Sequence, residues 1–309
     1  IPRIIARPVM KFIFYNVENL FEFNPDSKPK DEAFGPTGKW KWNETRYKKK
    51  LDRIAEVVSA IGKNSPPAFL ALCEVGNLQV VKALTNHLKL REYGYQIVHT
   101  ESNDQRGIGV AFMYDPRVFK VEHTEWINID DNDNKQLITR DVLRVSGKVA
   151  GGQTMHIYVN HWPSRRLGPN MTESRRMSAS STLLKSLEKQ DLENDLAVLC
   201  GDFNDQPSDP SLVHLVETSK TPLINLAAPL EMAGLGTVNH SRKWLAFDQF
   251  IVNQNMLSAV KDAKMHVFDD DLVLYENHLG EKRPNRTYMG ARYIGGYSDH
   301  LAISLELKF

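Results

Sequence analysis

Short apolar runs recur along this chain, and most of them stop at an acid, an amide or a histidine. The run LALC is followed by Glu74, HIYV by Asn160 and His161, and AVLCG by Asp202. Continuous apolar runs of this length are typical of β-strands that are covered on both faces. Segments with helical spacing lie between several of these runs. The sequence therefore predicts a layered α/β domain whose strand ends carry polar groups.

Hydrophobic periodicity and turn residues give the expected elements. The predicted strands are KFIFYNV (11–17), AFLALCEV (68–75), GVAFMYDP (109–116), MHIYVNHW (155–162), DLAVLCGDFN (195–204), AFDQFIVN (246–253) and SDHLAISLELKF (298–309). Apolar residues at helical spacing predict an amphipathic helix over about residues 44–62, ended by Gly62. We interpret its opening TRYKKK as a solvated face. Asn170 and Glu173 have capping-box spacing and predict the start of a second helix.

Composition sets broad limits on the class of protein. The 309 residues are 41% hydrophobic and 25% charged, and we predict one domain over residues 1–309. A net charge of +1 gives no electrostatic basis for tight, nonspecific nucleic-acid binding, although transient contact with a phosphate stays open. No apolar run is long enough to span a bilayer. Cys73 and Cys200 lie in apolar runs, so buried free thiols are expected, with a disulfide as the alternative.

Carboxylates, amides and two histidines collect at the predicted strand ends. They are Asn16, Glu74, Asn160, His161, Asp202, Asn204, Asp248, Asp299 and His300. Each residue alone is explained as a turn former or strand terminator. Together they indicate a ligand site, because such sites form where the strand ends of α/β sheets meet loops.

The residue types at these strand ends indicate a site for a hard metal ion. Carboxylate and amide oxygens suit Mg²⁺ or Mn²⁺, which clamp phosphate oxygens. The sequence has no Cys/His cluster with zinc spacing, no P-loop and no Gly-x-Ser-x-Gly elbow. A divalent ion, a carboxylate that activates water and an imidazolium that stabilises a phosphoryl oxyanion define a phosphoester hydrolase.

Six motifs carry a resemblance to a known family. NVENLF, LCEV, VNHWPSR, GDFND, FDQFIV and YSDH occur in the order found in the endonuclease/exonuclease/phosphatase family, from Asn16 to His300. The chain resembles its bacterial, often secreted, members, which favours a secreted or periplasmic location over a cytoplasmic one. The resemblance implies a four-layered α/β sandwich, with two mixed β-sheets packed face to face and helices outside. It also implies metal-dependent phosphoester hydrolysis.

The resemblance implies roles for the metal side of the site. Glu74 matches the principal metal ligand, with Asn16 beside it and Glu18 near. Asp299 matches a carboxylate at or near the metal. Mg²⁺ is the expected ion, with Mn²⁺ and Ca²⁺ as alternatives.

Four other residues match catalytic positions of the family. Asp202 matches the residue that orients or deprotonates the attacking water, and Asn204 the one that holds the nucleophile or a phosphate oxygen. His300 matches the histidine that stabilises the pentacovalent phosphate. Asp248 would orient its imidazole and favour the charged form by raising the imidazole pKa.

The segment around His161 carries the remaining candidates. His161 is similar to the histidine of deoxyribonuclease-, sphingomyelinase- and phosphatase-like branches, and it would donate a proton to the leaving oxygen or bind a phosphate oxygen. The glutamate that partners it in pancreatic-type deoxyribonucleases has no counterpart, since the matching stretch reads RGIG. Asn160, Arg140, Arg165 and Arg166 are candidates for substrate binding, the two adjacent arginines as a phosphate grip or, for one of them, a solvated turn.

Two further patterns in the sequence are less specific. Three arginines and three tyrosines in 283–297 suit a phosphate flanked by stackable groups, as in a nucleotide, but such loops are common without that role. NIDDNDNKQ (128–136) has the composition of a calcium loop without its glycine and final glutamate, which favours a polar hairpin turn.

Two enzyme functions stay open from the sequence. One is a phosphodiesterase that acts on DNA or RNA, and the other is a hydrolase of a small or lipid phosphate such as a phosphoinositide, sphingomyelin or a sugar phosphate. A non-enzymatic binding protein is disfavoured because the catalytic residue types are all present. The expected partner is the phosphoester substrate, and no obligate protein partner is indicated.

Overall fold

A computed structural model describes residues 9–25, 30–35, 37–63, 66–131 and 137–309. The strands are β1 (Met10–Leu20), β2 (Phe69–Val75), β3 (Gln96–His99), β4 (Gly109–Tyr114), β5 (Phe119–Ile127), β6 (Val142–Val149), β7 (Thr154–His161), β8 (Leu196–Asp202), β9 (Leu223–Asn225), β10 (Val238–His240), β11 (Lys243–Leu245), β12 (Asp248–Asn253), β13 (Val260–Val267), β14 (Leu274–Glu276), β15 (Lys282–Pro284), β16 (Tyr288–Met289), β17 (Arg292–Tyr293) and β18 (Ile303–Leu307). The helices are α1 (Glu44–Ile61), α2 (Leu78–Thr85), α3 (Pro169–Leu187), α4 (Pro210–Thr218), α5 (Ala228–Met232) and α6 (Gln254–Ala259), with 3₁₀ turns at Glu32–Phe34 and Arg91–Tyr93.

Two six-stranded sheets dominate the fold. Their strand orders are β13-β18-β1-β2-β4-β3 and β5-β6-β7-β8-β12-β9. Within these sheets, β1 and β2 run parallel, as do β7 and β8, and the other pairs are antiparallel. The prediction of two mixed sheets is confirmed.

Apolar side chains fill three layers between the elements. The inter-sheet core holds side chains from both sheets, among them Phe12, Phe69, Ile157 and Phe250. A second core lies between the first sheet and the helices α1 and α2, and a third lies between the second sheet and the helices α3 and α4. This order of helices, sheet, sheet and helices is the predicted four-layered sandwich.

Helix α1 forms where its periodicity predicts, with one exception. The side chain of Asn43 caps its start by accepting a hydrogen bond from the amide of Arg46 at 3.0 Å, and Gly62 ends it. The predicted solvated face is wrong for Lys50, which is only 2% exposed. Lys50 lies four residues before Ile54 on the apolar stripe and turns inward with it.

The second predicted helix forms without its predicted capping box. Helix α3 begins at Pro169, and Gly168, with φ of 100°, occupies the N-cap position. Proline is favoured at a first helical position because its φ is already helical, so the start moves one residue before Asn170. Asn170 and Glu173 then lie within the helix.

Four other expectations concern the fold. Both cysteines are buried and free, as expected. The final strand begins at Ile303 and not at Ser298, because residues 298–302 form a loop that delivers the Asp-His pair. The proposed hairpin at 128–136 falls partly outside the described residues, which omit 132–136. Among the helices in the described ranges, none has the length and apolar character needed to cross a membrane.

Candidate active site

The strands β7, β8 and β12 bring three polar residues into register at one end of the second sheet. Asp202, the last residue of β8, pairs with His161 at the end of β7 and with Asp248 at the start of β12. Residues paired directly across strands point to the same face. That face is the one between the sheets, because Cys200 and Phe250, two residues away along their strands, lie in the inter-sheet core. The three side chains therefore stand at the mouth of this core.

A bulge in the first sheet places Glu74 opposite them. Cys73 packs in the inter-sheet core, whereas Val75 packs on the helix side, although residues two apart normally share a face. The register of β2 shifts between these two residues, and Glu74 has a left-handed backbone with φ of 62°. The Glu74 carboxylate is half-buried and accepts a hydrogen bond from the amide of Asn19 at 2.9 Å. The bulge thus moves the Glu74 carboxylate away from the face that regular strand alternation would give it.

Asn16 joins the two sheets across the mouth of the core. Its Nδ2 donates to Oδ2 of Asp202 at 3.0 Å and lies 3.4 Å from Nε2 of His300. The loop before β18 is fixed to the same strand, because the Ser298 hydroxyl donates to the carbonyl of Asn16 at 2.7 Å. Ser298 in turn accepts the amide of His300 at 3.1 Å. The Asp-His pair of the YSDH motif is therefore held by β1.

Two glycines allow the close approaches on which this geometry depends. A Cβ on Gly201 would stand 2.4 Å from the carbonyl oxygen of Asn160, so β7 and β8 could not keep their separation beside Asp202. A Cβ on Gly296 would stand 2.2 Å from the carbonyl oxygen of Asn285. The glycines of GDFN and GGYSDH are therefore packing requirements of the site.

His300 is held in its charged form. Burial lowers the imidazole pKa, but the negative charges of Asp248 and Asp202 and the hydrogen bond with Asp248 together raise it well above its usual value. The Nδ1 of His300 lies 2.8 Å from Oδ2 of Asp248, and Thr237 contacts the same oxygen. The predicted orientation of His300 by Asp248 agrees with this contact.

His161 is held neutral. Burial is the largest cause and the positive charges of Arg140, His300 and Arg106 add to it, so that the imidazole pKa falls well below its usual value. Its Nε2 lies 3.7 Å from Oδ2 of Asp202, and its buried Nδ1 has no hydrogen-bond partner among the described residues.

Asp202 lies between the two histidines. Burial raises its pKa to about 7; the charge of His300 opposes this rise, and the charge of Asp248 adds to it. Its Oδ1 accepts the amide of Asn204 at 2.9 Å. A carboxylate with a pKa near neutral pH suits proton transfer from water.

A second acidic group lies beside Glu74. Glu18 accepts the amide of Thr287 at 2.6 Å, and Asp299 accepts from Arg286 at 2.9 Å. Burial, followed by repulsion from Asp299, raises the pKa of Glu18 to about 7, although Lys50 and Arg286 oppose the rise. The expectation that Glu18 lies near the metal side agrees with this position.

Lys50 is the buried cation near Glu18, Asp299 and Glu74, and it was not predicted from the sequence. Its Nζ donates to Oγ1 of Thr287 at 2.6 Å and to the carbonyl of Tyr297 at 2.7 Å. Burial lowers its pKa, while the charges of Glu18, Asp299 and Glu74 oppose that shift. The signal was its position on the apolar stripe of α1, where a lysine needs a buried acceptor.

The oxygen donors of this cluster fit a hard divalent cation. Glu74 has no ion pair with any described residue, and burial, followed by the charge of Asp299, raises the pKa of Glu18. Glu74, Asp299 and Glu18, with the amide oxygen of Asn16, supply oxygen donors of the type that Mg²⁺ prefers. Among the described residues, one group whose ligand atoms lie within 4.8 Å of one another is Asp202, Asp248 and His300. A softer grouping of Cys73, His161 and Asp202 is also close. Burial raises the pKa of the Cys73 thiol, however, and keeps it protonated and a poor ligand.

The remaining candidates divide between the site and the scaffold. Asn204, with φ of 52°, and Arg140 both donate to the carbonyl of Trp162, at 3.1 and 2.6 Å. Asn160 is fully buried and bonds to the carbonyls of Tyr158 and Cys200. The structure corrects the expectation that Asn160 binds substrate, because hydrogen bonds within the fold engage its side-chain amide.

The adjacent arginines also separate. Arg165 contacts Asp205 and Asp209 and donates to the carbonyl of Asn204 at 2.7 Å. Its guanidinium is therefore engaged by protein groups and is not available for the predicted phosphate contact. Arg166 is exposed and bonds to no residue in the described ranges. Of the pair, Arg166 is the cation available to a substrate.

Two cavities open beside these residues and share Arg106 and Arg166. One, of about 760 Å³, is lined by Glu74, Asp299 and Trp40 among others. The other, of about 570 Å³, is lined by Arg140 and Asp104 and by apolar, polar and basic residues of the neighbouring loops and of α3. Glu74 and Asp299, on the predicted metal side, thus line one cavity, and Arg140 lines the other.

The sequence matches the model of the Endonuclease/Exonuclease/phosphatase family over residues 11–308, and the chain belongs to that family. The resemblance predicted from the six motifs is therefore confirmed. Members of this family hydrolyse phosphoester bonds, and the chain is a phosphoester hydrolase. Comparison of the sequence with curated proteins finds no match.

Three solved structures have the same fold. The catalytic domain of human Nocturnin, with bound sulfate, is 17% identical, with a TM-score of 0.63 over 98% of this chain and 96% of that one. A mannosyl-6-phosphatase of Bacteroides thetaiotaomicron is 16% identical, with a TM-score of 0.61 over 97% and 100%. D. rerio TDP2, humanised by 14 mutations, is 16% identical, with a TM-score of 0.57 over 97% and 99%. At these identities the likeness shows the fold alone.

Proposed function

We propose that this hydrolase is a Mg²⁺-dependent phosphodiesterase that cleaves nucleic acid strands. The two cavities that meet at Arg106 and Arg166 carry this proposal. A phosphodiester extends on both sides of its phosphorus, and it needs space on both sides of the catalytic groups. The unpaired guanidinium of Arg166, at the junction, suits a phosphate oxygen.

The residues divide the work of hydrolysis. Asp202 accepts the proton of a water that attacks phosphorus, and Asn204 fixes the Asp202 carboxylate through its own amide. The imidazolium of His300 stabilises the negative charge that grows on the phosphoryl oxygens as the bond to the leaving oxygen breaks. Glu74, Asp299, Glu18 and Asn16 would hold the cation, which when bound neutralises charge on the phosphate oxygens.

His161 is assigned to phosphate binding. A general acid must carry a proton that it can release, and the lowered pKa of His161 leaves it neutral near pH 7. A neutral imidazole still forms a hydrogen bond with a phosphate oxygen. Of the two roles predicted for this histidine, this property favours binding over proton donation.

Nicking of supercoiled plasmid DNA tests the proposal. The expected result is conversion to the open circle with Mg²⁺, none with EDTA, and a loss of roughly 10³-fold in His300→Ala and in Asp202→Ala. Wild-type protein that is folded but leaves plasmid and oligonucleotides intact with Mg²⁺ and Mn²⁺ would overturn it.

A second candidate is a hydrolase of a small or lipid phosphate. The charges favour it, because Arg106 and Arg286 of the larger cavity are paired with Asp31 and Asp299 at 3.0 and 2.9 Å. Such pairing leaves little free positive charge for a long polyanion. Release of inorganic phosphate from sugar phosphates or phosphoinositides, without plasmid nicking, would identify this function.

A further inference from the structure

Trp40 forms part of the wall of the larger cavity, which Glu74 and Asp299 also line. Its ring is half-buried and packs against Tyr288 at 4.8 Å and Phe34 at 6.1 Å between centroids. Phe34 and Tyr288 also line the cavity, but they are buried, so Trp40 is the most exposed of the three rings. The tyrosines suggested by sequence for stacking are instead packed into the protein or, for Tyr293, against Arg46.

The main chain of Trp40 is fixed as firmly as its ring. Its amide donates to the carbonyl of Ala33 at 2.9 Å, and its carbonyl accepts the hydroxyl of Tyr288 at 3.1 Å. A rigid ring with one accessible side loses little conformational freedom when a flat ligand stacks on it. Such a platform is therefore suited to binding.

An exposed cation accompanies the ring. Lys39 is exposed, its Nζ lies 4.6 Å from the centre of the Trp40 ring, and it has no ion pair with a described residue. A flat ligand can displace this ammonium from the ring, and the ammonium can then pair with an adjacent anion. A planar group next to a phosphate is the chemistry of a nucleotide.

We propose that the larger cavity binds the nucleobase next to the scissile phosphate by stacking on Trp40, with Lys39 pairing to the following phosphate. The proposal rests on the proposed nuclease function and names its substrate contact. Stacking stabilises the bound substrate and the transition state equally. Its loss should therefore raise KM and leave kcat almost unchanged.

Trp40→Phe and Trp40→Leu separate aromatic stacking from simple bulk. On a single-stranded oligonucleotide with Mg²⁺, the leucine variant is expected to raise KM roughly 5- to 100-fold, and the phenylalanine variant only a few-fold. Met289→Ala is the control, because Met289 is an exposed residue of the neighbouring hairpin that does not line the cavity. Its KM should equal that of wild type. Melting temperatures close to wild type exclude misfolding.

An oligonucleotide with one abasic position identifies the ligand group. With the abasic site next to the cleaved phosphate, wild type should show the raised KM, and Trp40→Leu should add nothing further. Equal KM for wild type and Trp40→Leu on the normal oligonucleotide overturns the stacking site and leaves the nuclease function standing. An undiminished effect of Trp40→Leu on the abasic substrate also overturns it, because the ring would then contact sugar or backbone. Failure of wild type to cleave any oligonucleotide removes the function and this inference together.

Discussion

The carboxyl group of Glu18 gives the metal-free protein a pH dependence of stability with a definite sign. Glu18 is 6% exposed, and burial and the charge of Asp299 raise its pKa from 4.5 to about 7. The folded protein therefore keeps a proton between these pH values that the unfolded chain has released. The free energy of unfolding must fall as pH rises through this window. A change from 4.5 to about 7, at 1.36 kcal/mol per pKa unit, amounts to roughly 3 kcal/mol.

Glu18→Gln isolates this contribution. Glutamine keeps the shape and an oxygen that accepts the amide of Thr287, but it cannot ionise. At pH 4.5 in EDTA we expect the two proteins to have nearly equal free energies of unfolding. At pH 8 the variant should be more stable by up to roughly 3 kcal/mol. Asp202 has a raised pKa of the same sign but is present in both proteins, so its contribution cancels in the difference.

Urea unfolding followed by tryptophan fluorescence, at pH values from 4.5 to 8 with EDTA, measures the difference. Glu217→Gln, on the exposed face of α4, is the control and should show no pH-dependent gain. A constant difference between wild type and Glu18→Gln across the pH range would refute the reasoning. Saturating Mg²⁺ should then stabilise wild type more than the variant, because the metal uses the charge that glutamine lacks.

Three further substitutions have expected outcomes. Lys50→Met leaves two buried acceptors unpaired and should lower the urea unfolding free energy by about 2–4 kcal/mol, whereas Lys48→Met, on an exposed side chain, should change it little. Gly201→Ala should lower the melting temperature and the turnover together, because its Cβ would force β7 and β8 apart. Asp248→Asn removes the charge that keeps His300 protonated, so the alkaline limb of the pH–rate profile should move to lower pH.

In the described residues, seven of the twelve strands of the two large sheets were predictable, because they are short, largely apolar runs. The strands β3, β5, β6, β9 and β13 were not predicted. Each predicted run contains a strand, and the polar residues at their ends do meet. Asp202, His161 and Asp248 follow directly from register, since they are paired across neighbouring strands. At these three positions, the sequence motifs and the strand pairing both predict that the side chains lie together.

The features missed from sequence are those set by tertiary contacts. Period-two alternation would place Glu74 on the opposite face from Cys73, and only the bulge, which no local pattern announces, turns its carboxylate to the site. Arg165 and Arg166 are adjacent and chemically identical, yet only Arg165 meets the acids of the loop after β8. Lys50 differs from these cases, since its position on the apolar stripe was visible in the sequence.

The two histidines of the site show how one carboxylate can serve groups in opposite charge states. The Nε2 atoms of His161 and His300 lie 3.7 and 3.9 Å from the same oxygen of Asp202, so the distance to this acid does not separate them. The other neighbours of the two rings separate their charge states. His300 contacts Asp248, whereas the positive charge of Arg140 acts on His161. The charged imidazole can therefore stabilise a phosphoryl oxygen, while the neutral one leaves Asp202 free to accept a proton from water. A second imidazolium at His161 would lower the pKa of Asp202 and weaken it as a base.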